Sequence, residues 1–452
     1  MLNVVVIGYV WPEPNSSAAG QNMLSLIKRC LTANFNVTFL TAATDSEHKA
    51  DLEAIGVNVR PVTLNCSSFN TLIAHIAPDV VIFDRYMTEE QFSWRVKQTC
   101  PDALRILNTE DLHSLRQARF EAVKKHGDAG HAQLNSELAQ RELAAIIRSD
   151  LTLIISQHEM NLLKQHYGVP EAQLQYHPLV VGQSVCPTPS FEQRSHFVHI
   201  GNFRHAPNWD AVLQLKQTLW PAIRKALPKA EIHIYGAYPP KKATQLHNEK
   251  QGFLVKGWAK DVESVMTSAK VLIAPLRFGA GIKGKLLDAM RCATPSITTW
   301  IGAEGIVPYT ANTNADVPTN TEDTQPSLQS KHWPGTNTED TQPSLQSKHW
   351  PGALCGTDLS KQDVVQEYVD KAVALYRDEN AWNTAKNLTL TALDSFKHQQ
   401  PDVPFIEKIT KLKQELNKHR SDLFMQSLLW HQTLAASKYM SQWIEAKNKQ
   451  GH

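Results

Sequence analysis

Short apolar, β-branched runs alternate with amphipathic stretches through most of the 452-residue chain. In the first half the runs predict strands at Asn3–Ile7, Val37–Thr41, Val57–Val62, Val80–Phe83, Arg105–Asn108 and Leu151–Ser156. Between them lie segments of helical spacing, such as Gln21–Leu31, where Met23, Leu24, Ile27 and Leu31 recur on one face. Val180–Ser195 has no clear period and carries Gly182, Pro187 and Pro189, the composition of a linker. Alternation restarts at Phe197–Ile200, Glu231–Tyr235, Phe253–Val255, Val271–Ala274 and Ser296–Thr299. Buried strands separated by helices imply parallel sheets covered on both faces. The expected architecture is therefore α/β, with two doubly wound domains facing across a cleft (residues 1–182 and 196–393), a linker at 183–195 and a helical tail at 394–452. Ligands of open α/β sheets sit at the carboxyl ends of the strands, so the residues just after each strand matter most.

Past the second set of strands, Gln362–Tyr376, Asn380–Leu393, Ile406–Arg420 and Leu423–Lys447 read as helices. Trp430, Tyr439, Met440 and Trp443 are expected to dock the tail onto the domains, and the mixed charges around them argue against a membrane-surface helix. One internal repeat stands out. Thr319–Gly335 reads TNTEDTQPSLQSKHWPG, and Thr336–Gly352 repeats it residue for residue. With Leu328 and Trp333 as its only large apolar residues, and Pro326 and Pro334 interrupting it, the unit has no face to stack. It reads as a surface loop, 319–352, duplicated within the second domain. The alternative is a flap whose Trp333 and Trp350 stack on sugar rings.

A net charge of +2 gives no case for a nucleic-acid partner. No apolar run is long enough to span a bilayer, and Met1–Gly8 reads as a strand rather than a signal peptide. The six cysteines are scattered, with no Cys-x-x-Cys pair, which fits reduced, buried thiols better than disulfides or a zinc site. These features place the protein in the cytoplasm, with at most peripheral contact at the inner face of the membrane.

The chemistry concentrates in Ala274–Arg291, APLRFGAGIKGKLLDAMR. A strand ends near Pro275, a glycine-rich turn follows, and a helix begins near Lys283 or Gly284. Gly279, Gly281 and Gly284 let backbone N–H groups approach a ligand, and the helix start adds partial positive charge. Lys283 and Lys285 add two full charges, so an anion, above all a phosphate, is the expected ligand. Gly279–Gly284 also fits G-x-G-x-x-G with Glu304 about 20 residues on, the dinucleotide fingerprint. That fingerprint belongs after the first strand of its unit, whereas this turn follows the fourth of the second set. A dinucleotide-dependent oxidoreductase therefore stays a minor alternative.

The stretch APLRFGAGIKGKLLDAMRCATPSITTWIGAEGI resembles the donor-binding region of family-4 glycosyltransferases. The resemblance, over roughly residues 3–390, implies the GT-B fold of two Rossmann-like domains, acceptor side first and donor-nucleotide side second. It implies a retaining hexosyltransferase that takes a nucleotide sugar as substrate, uses no cofactor, and glycosylates a glycan or lipid-linked acceptor, as in polysaccharide biosynthesis. Asp288 stands where the family has the carboxylate that holds the nucleotide ribose. Ala280 replaces a glutamate that contacts the sugar in many members, and Ile282 lies in the same turn. Tyr9–Gly20 resembles the glycine loop after the first strand, whose Ser16, Ser17 and Gly20 either contact sugar and diphosphate or cap a helix. His199–Asn208 resembles the loop that supplies an arginine to the diphosphate, which makes Arg204 the candidate beside Gly201. The lysine that usually follows is absent, leaving Lys283 or Lys285 in its place. Lys256–Val262 resembles the segment that reads the base, near Gly257, Trp258 and Ala259. In Thr109–Arg116 the family's His-Asp pair is replaced by Glu110 and Asp111, with His113 three residues beyond Glu110.

Arg204, Lys283, Lys285, Glu110 and His113 are thus the candidates for catalysis. The chain has no Asp-x-Asp motif, so no metal is expected and the leaving diphosphate is to be met by fixed positive charge. The departures at Ala280, Asp288 and Glu110 raise the alternative of a catalytically silent sugar-nucleotide binding protein.

Overall fold

The computed structural model describes residues 1–306, 350–432 and 434–450. Two parallel sheets form its two cores. The first contains β1 (Asn3–Gly8), β2 (Asn36–Thr41), β3 (Asn58–Pro61), β4 (Val80–Asp84), β5 (Leu104–Asn108), β6 (Leu151–Ile154) and β7 (Leu174–Tyr176). Its order is β3-β2-β1-β4-β5-β6-β7. The second contains β8 (Phe197–Ile200), β9 (Ile232–Tyr235), β10 (Phe253–Gly257), β11 (Val271–Ala274), β12 (Ser296–Thr299) and β13 (Gly352–Cys355). Its order is β10-β9-β8-β11-β12-β13. Both are doubly wound, with the first strand of each near the middle, so the expected α/β class and the two facing Rossmann-like sheets are what the chain forms. Val4, Val5, Val6 and Ile7 of β1 are all buried, as a strand covered on both faces requires.

Two strands escaped the sequence pattern. β7 has three residues, and β13 sits behind the duplicated segment, opening on a glycine. The first copy of that segment, with Trp333, and most of the second lie outside the described residues. Trp350 does not: it is buried, its indole N–H donates to the Ser296 carbonyl at 3.2 Å, and Gly352 pairs with Ser296 in the sheet. The end of the second copy is therefore core rather than surface loop, and Trp350 does not face a sugar.

The tail differs from expectation in two ways. Ile406–Arg420 breaks at Glu415 into helices Phe405–Gln414 and Leu416–Ser421, and Leu423–Lys447 resolves into Phe424–Gln432 and Leu434–Gln450. The residues that dock it are Phe405, Ile409, Leu412 and Leu416, which join the core behind β1 and β5, together with Trp430. Tyr439, Met440 and Trp443 are exposed instead. All six cysteines are free; Cys30, Cys292 and Cys355 are buried, Cys66 and Cys100 half-buried, and Cys186 is exposed, contrary to the packing expected of it. Among the described residues no helix is long and apolar enough to cross a membrane.

Candidate functional site

A cleft of about 570 Å³ lies between the carboxyl edges of the two sheets. Its second-domain wall is built from three strand ends. After β8, the chain turns at Gly201, where a Cβ would meet the Asn208 side chain at 2.5 Å, so only glycine fits. Asn208 ties this turn to the one after β11, because its Nδ2 donates to the Asn202 carbonyl at 3.0 Å and its Oδ1 accepts from Lys285 Nζ at 2.7 Å. Helix Gly284–Arg291 follows, with Lys283 at its N-cap position. Lys283 Nζ donates to the Gly281 carbonyl at 2.7 Å. Enclosure in the cleft lowers Lys283 to about 8 and Lys285 to about 7, so neither lysine has the counter-charge that would hold it in the ordinary range. One turn on, burial raises Asp288 to about 6 against the pull of Arg291. Arg204 is exposed at the rim, its guanidinium 3.7 Å from the centre of the Tyr238 ring.

The first-domain wall comes from β1, β4 and β5. Ser17 caps helix Ala18–Thr32 by accepting from Gly20 N at 3.0 Å. Ser16 Oγ is buried in the cleft wall without a hydrogen-bond partner among the described residues. Glu110 follows β5 with φ 63°, an uncommon conformation for a side chain larger than glycine. Its oxygens accept from Asn108 at 2.8 Å and Asn22 at 3.2 Å. Burial, then the nearby Asp84 carboxyl, raise Glu110 to about 8. Against its own burial, Asp111 is held low by Arg116 and His113. Burial lowers the His113 imidazole to about 4.

Of the sequence candidates, Ser16, Ser17, Glu110, His113, Gly201, Arg204, Trp258 and Ala259 come together on this cleft, as do Gly279, Ala280, Ile282, Lys283, Gly284, Lys285 and Asp288. Three do not line it. Gly20 packs against the Glu13 backbone, where a Cβ would sit 2.4 Å from the carbonyl. Gly257 ends β10, and its carbonyl accepts from Gly236 N at 2.7 Å. Gly281, at φ 63°, gives its N–H to Glu159 Oε1 at 2.8 Å, so that donor is already taken. Glu304 is likewise occupied, gripping Arg119 with both oxygens at 2.9 and 2.7 Å. It lies off the cleft and holds no ribose, which removes the acid the dinucleotide reading needs. Sequence reasoning missed Tyr9, Arg85, Asn208 and Tyr238. The first two directly follow or cap strands β1 and β4, and that position was the available signal. Among the described residues no group of three or more His, Cys, Asp or Glu is placed to hold a metal ion.

The family described as glycosyl transferases group 1 matches residues 194–323. No curated protein sequence matches the chain. Among solved structures, Anabaena HepE in complex with UDP and glucose is similar, at 11% identity and a TM-score of 0.58 over 93% of this chain and 100% of that one. S. aureus TarM in complex with fondaparinux, α-GlcNAc-glycerol and UDP is similar at 8% identity and a TM-score of 0.57, covering 94% and 100%. Sucrose-phosphate synthase from Thermosynechococcus elongatus follows at 11% identity and a TM-score of 0.55, covering 93% and 100%. At such identities the structures share the fold.

Proposed function

The chain is a group 1 glycosyltransferase of GT-B fold that uses a nucleotide-sugar donor, and we propose that it moves a hexose, with retention and without a metal ion, to a glycan or lipid-linked hydroxyl. One observation carries the finer reading: Lys283, Lys285 and Arg204 converge with the start of helix Gly284–Arg291 on one wall of the cleft. Breaking the anomeric C–O bond leaves its electron pair on the β-phosphate oxygen. Fixed positive charge at that spot stabilises the developing anion with little reorganisation. The acceptor hydroxyl bonds to the anomeric carbon, and its proton passes to the departing phosphate oxygen. Asp288 is placed one helical turn along to hold the ribose, and the Trp258–Ala259 segment to read the base. His113 and Glu110 are the first-domain groups nearest the reacting sugar. At neutral pH the imidazole is uncharged and Glu110 is largely protonated, so both serve as hydrogen-bonding groups rather than as charges.

Thermal-shift screening across nucleotide sugars tests this reading. At least one should raise Tm, since a ligand at 100 times its Kd adds about 2.7 kcal/mol. The same donor should release nucleoside diphosphate slowly without acceptor, at a rate unchanged by chelator. A donor that binds and is never hydrolysed would point to a silent binding protein. Magnesium or manganese restoring a rate lost to chelator would place the chain in a different mechanistic class.

A further inference from the structure

We propose that the acceptor side of the cleft selects a molecule carrying an anionic group, carboxylate or phosphate, near its reacting hydroxyl, and that the Arg85 guanidinium reads that charge. The inference rests on the transferase reading above.

β4 is an unbroken apolar run that ends at Asp84, and Arg85 follows at its carboxyl end, lining the cleft. Its backbone sits at φ 70°, in the left-handed region, like Glu110 at the end of the adjacent β5. Two strained residues side by side at a ligand cleft cost about 1–3 kcal/mol each, and such strain gathers at functional sites. The strained turn presents the guanidinium, whose side chain is only 16% exposed, to the cleft rather than to bulk water.

Every other half-buried or buried arginine near this cleft has an acceptor. Arg116 has Asp111, Arg119 has Glu304 and the Gly279 carbonyl, and Arg277 has Asp210. Arg85 has no hydrogen-bond acceptor among the described residues. Its nearest carboxylate oxygen, on Asp84, is 3.7 Å away, too far for a hydrogen bond, and already accepts from Tyr9 N at 3.1 Å. The guanidinium lies 5.5 Å from the Tyr9 ring centre, and five N–H donors remain unused.

The floor around it is poor in negative charge. Burial raises both Asp84 and Glu110, and Glu110 is further tied by Asn108 and Asn22. Helix Arg85–Thr99 starts at the same point, and Asp84 makes no side-chain cap bond to it. A planar fork with free donors matches carboxylate or phosphate oxygens in bidentate geometry. The donor diphosphate is not the natural occupant, because Arg204, Lys283 and Lys285 meet that charge from the opposite domain.

The test titrates three probes into the full-length protein saturated with its best-binding nucleoside diphosphate: p-nitrophenyl β-D-glucuronide, p-nitrophenyl β-D-glucoside and glucose 1-phosphate. The anionic probes should bind about tenfold or more tighter than the neutral glucoside. Arg85→Gln should erase that difference while the nucleoside diphosphate binds as before. Arg85→Gly serves as a second variant, since glycine adopts positive φ without strain and keeps the fold. Whichever anionic probe binds better identifies the source as an acidic sugar or a phosphate ester. Equal affinity for charged and neutral probes, or an anion preference that survives in both variants, overturns the proposal. So does a nucleotide affinity that falls with Arg85, which would move this residue to the donor side. If no nucleoside diphosphate binds even the unaltered protein, the transferase reading itself fails, and this inference with it.

Discussion

Lys283 and Lys285 are poised rather than saturated with protons, and this has a measurable consequence. With pKa values near 8 and 7 in the empty cleft, Lys285 is mostly neutral at pH 8 and Lys283 about half charged. An incoming diphosphate favours the charged forms and raises both values. Binding at pH 8 should therefore take up about one proton, and affinity should fall as pH rises from 7 to 9. Calorimetry in buffers of different ionisation enthalpy reads the uptake directly, and none at all would remove these lysines from the diphosphate. Lys283→Ala and Arg204→Ala should each lower turnover by about 100-fold. Rates within a few fold of the unaltered protein in both would end the phosphate assignment. At this scale the sequence was legible where chemistry is contiguous: glycines, lysines and a helix start fall within Gly279–Lys285. It was not legible for Asn208, Arg85 or Arg119, each an ordinary residue in its own segment. Only the fold brings Asn208 to Lys285 and Arg119 to the Gly279 carbonyl.

Among the elements, apolar runs such as Val4–Ile7 and Val80–Phe83 announced their strands, whereas β13 did not. A four-residue strand that begins with glycine gives no period to read, and its place beside β12 depends on Trp350 filling the core behind it. The duplication nevertheless remains removable. Deleting Thr336–Gly352 joins the first copy to Ala353, so that His332-Trp333-Pro334-Gly335 takes the place of the same four residues at 349–352. The glycine at φ 137°, where a Cβ would strike the Ser296 carbonyl at 2.1 Å, is thereby restored. Loop closure changes by only about 0.6 kcal/mol per doubling of length, so Tm and turnover should stay near those of the full chain. Trp350→Ala in the full chain should instead cost about 3–5 kcal/mol. A deletion as damaging as that substitution would show that the two copies are not interchangeable. The tail has a different anchor. Asp150, fully buried, receives Arg420 at 2.9 and 2.7 Å, Gln426 at 2.9 Å and the Arg105 backbone at 2.8 Å. Removing Ile406–His452 strips two of these partners and uncovers the apolar face behind β1, so stability should fall by about 3 kcal/mol or more. Nucleotide affinity of the folded truncation should be unchanged, because no tail residue lines the cleft; its loss would give the tail a part in binding.

Over the whole molecule, the two domains are tied on both flanks of the cleft, by contacts of unequal kind. On one flank Arg119 bridges to Glu304 and to the Gly279 carbonyl, Phe120 packs on Phe278 with ring centres 5.0 Å apart, and Glu159 holds Gly281 N. Burial works against the Glu304 charge, yet Arg119 and His158 hold it down to about 2. Its stabilising share is thus complete above the ordinary glutamate pKa of about 4.3 and lost as pH falls toward 2. On the other flank the contacts are polar and partly wet: Tyr238 donates to Glu13 at 2.7 Å, Trp258 to the Asn15 carbonyl at 3.3 Å, and His48 stacks on Trp258 at 4.5 Å. The first flank fastens the glycine turn itself to the first domain, and so works as a fulcrum; the second works as the mouth. Arg119→Met keeps the volume but leaves Glu304 buried with a weaker partner, and should cost about 3 kcal/mol or more. Because the Gly279 carbonyl loses its donor as well, nucleotide affinity should fall too. Tyr238→Phe removes one half-exposed hydrogen bond and should cost about 1 kcal/mol or less. Chemical denaturation and nucleotide titration of the two variants, run together, separate these roles. Equal destabilisation by both would mean that the flanks are equivalent and that the glycine turn does not depend on Arg119 for its position.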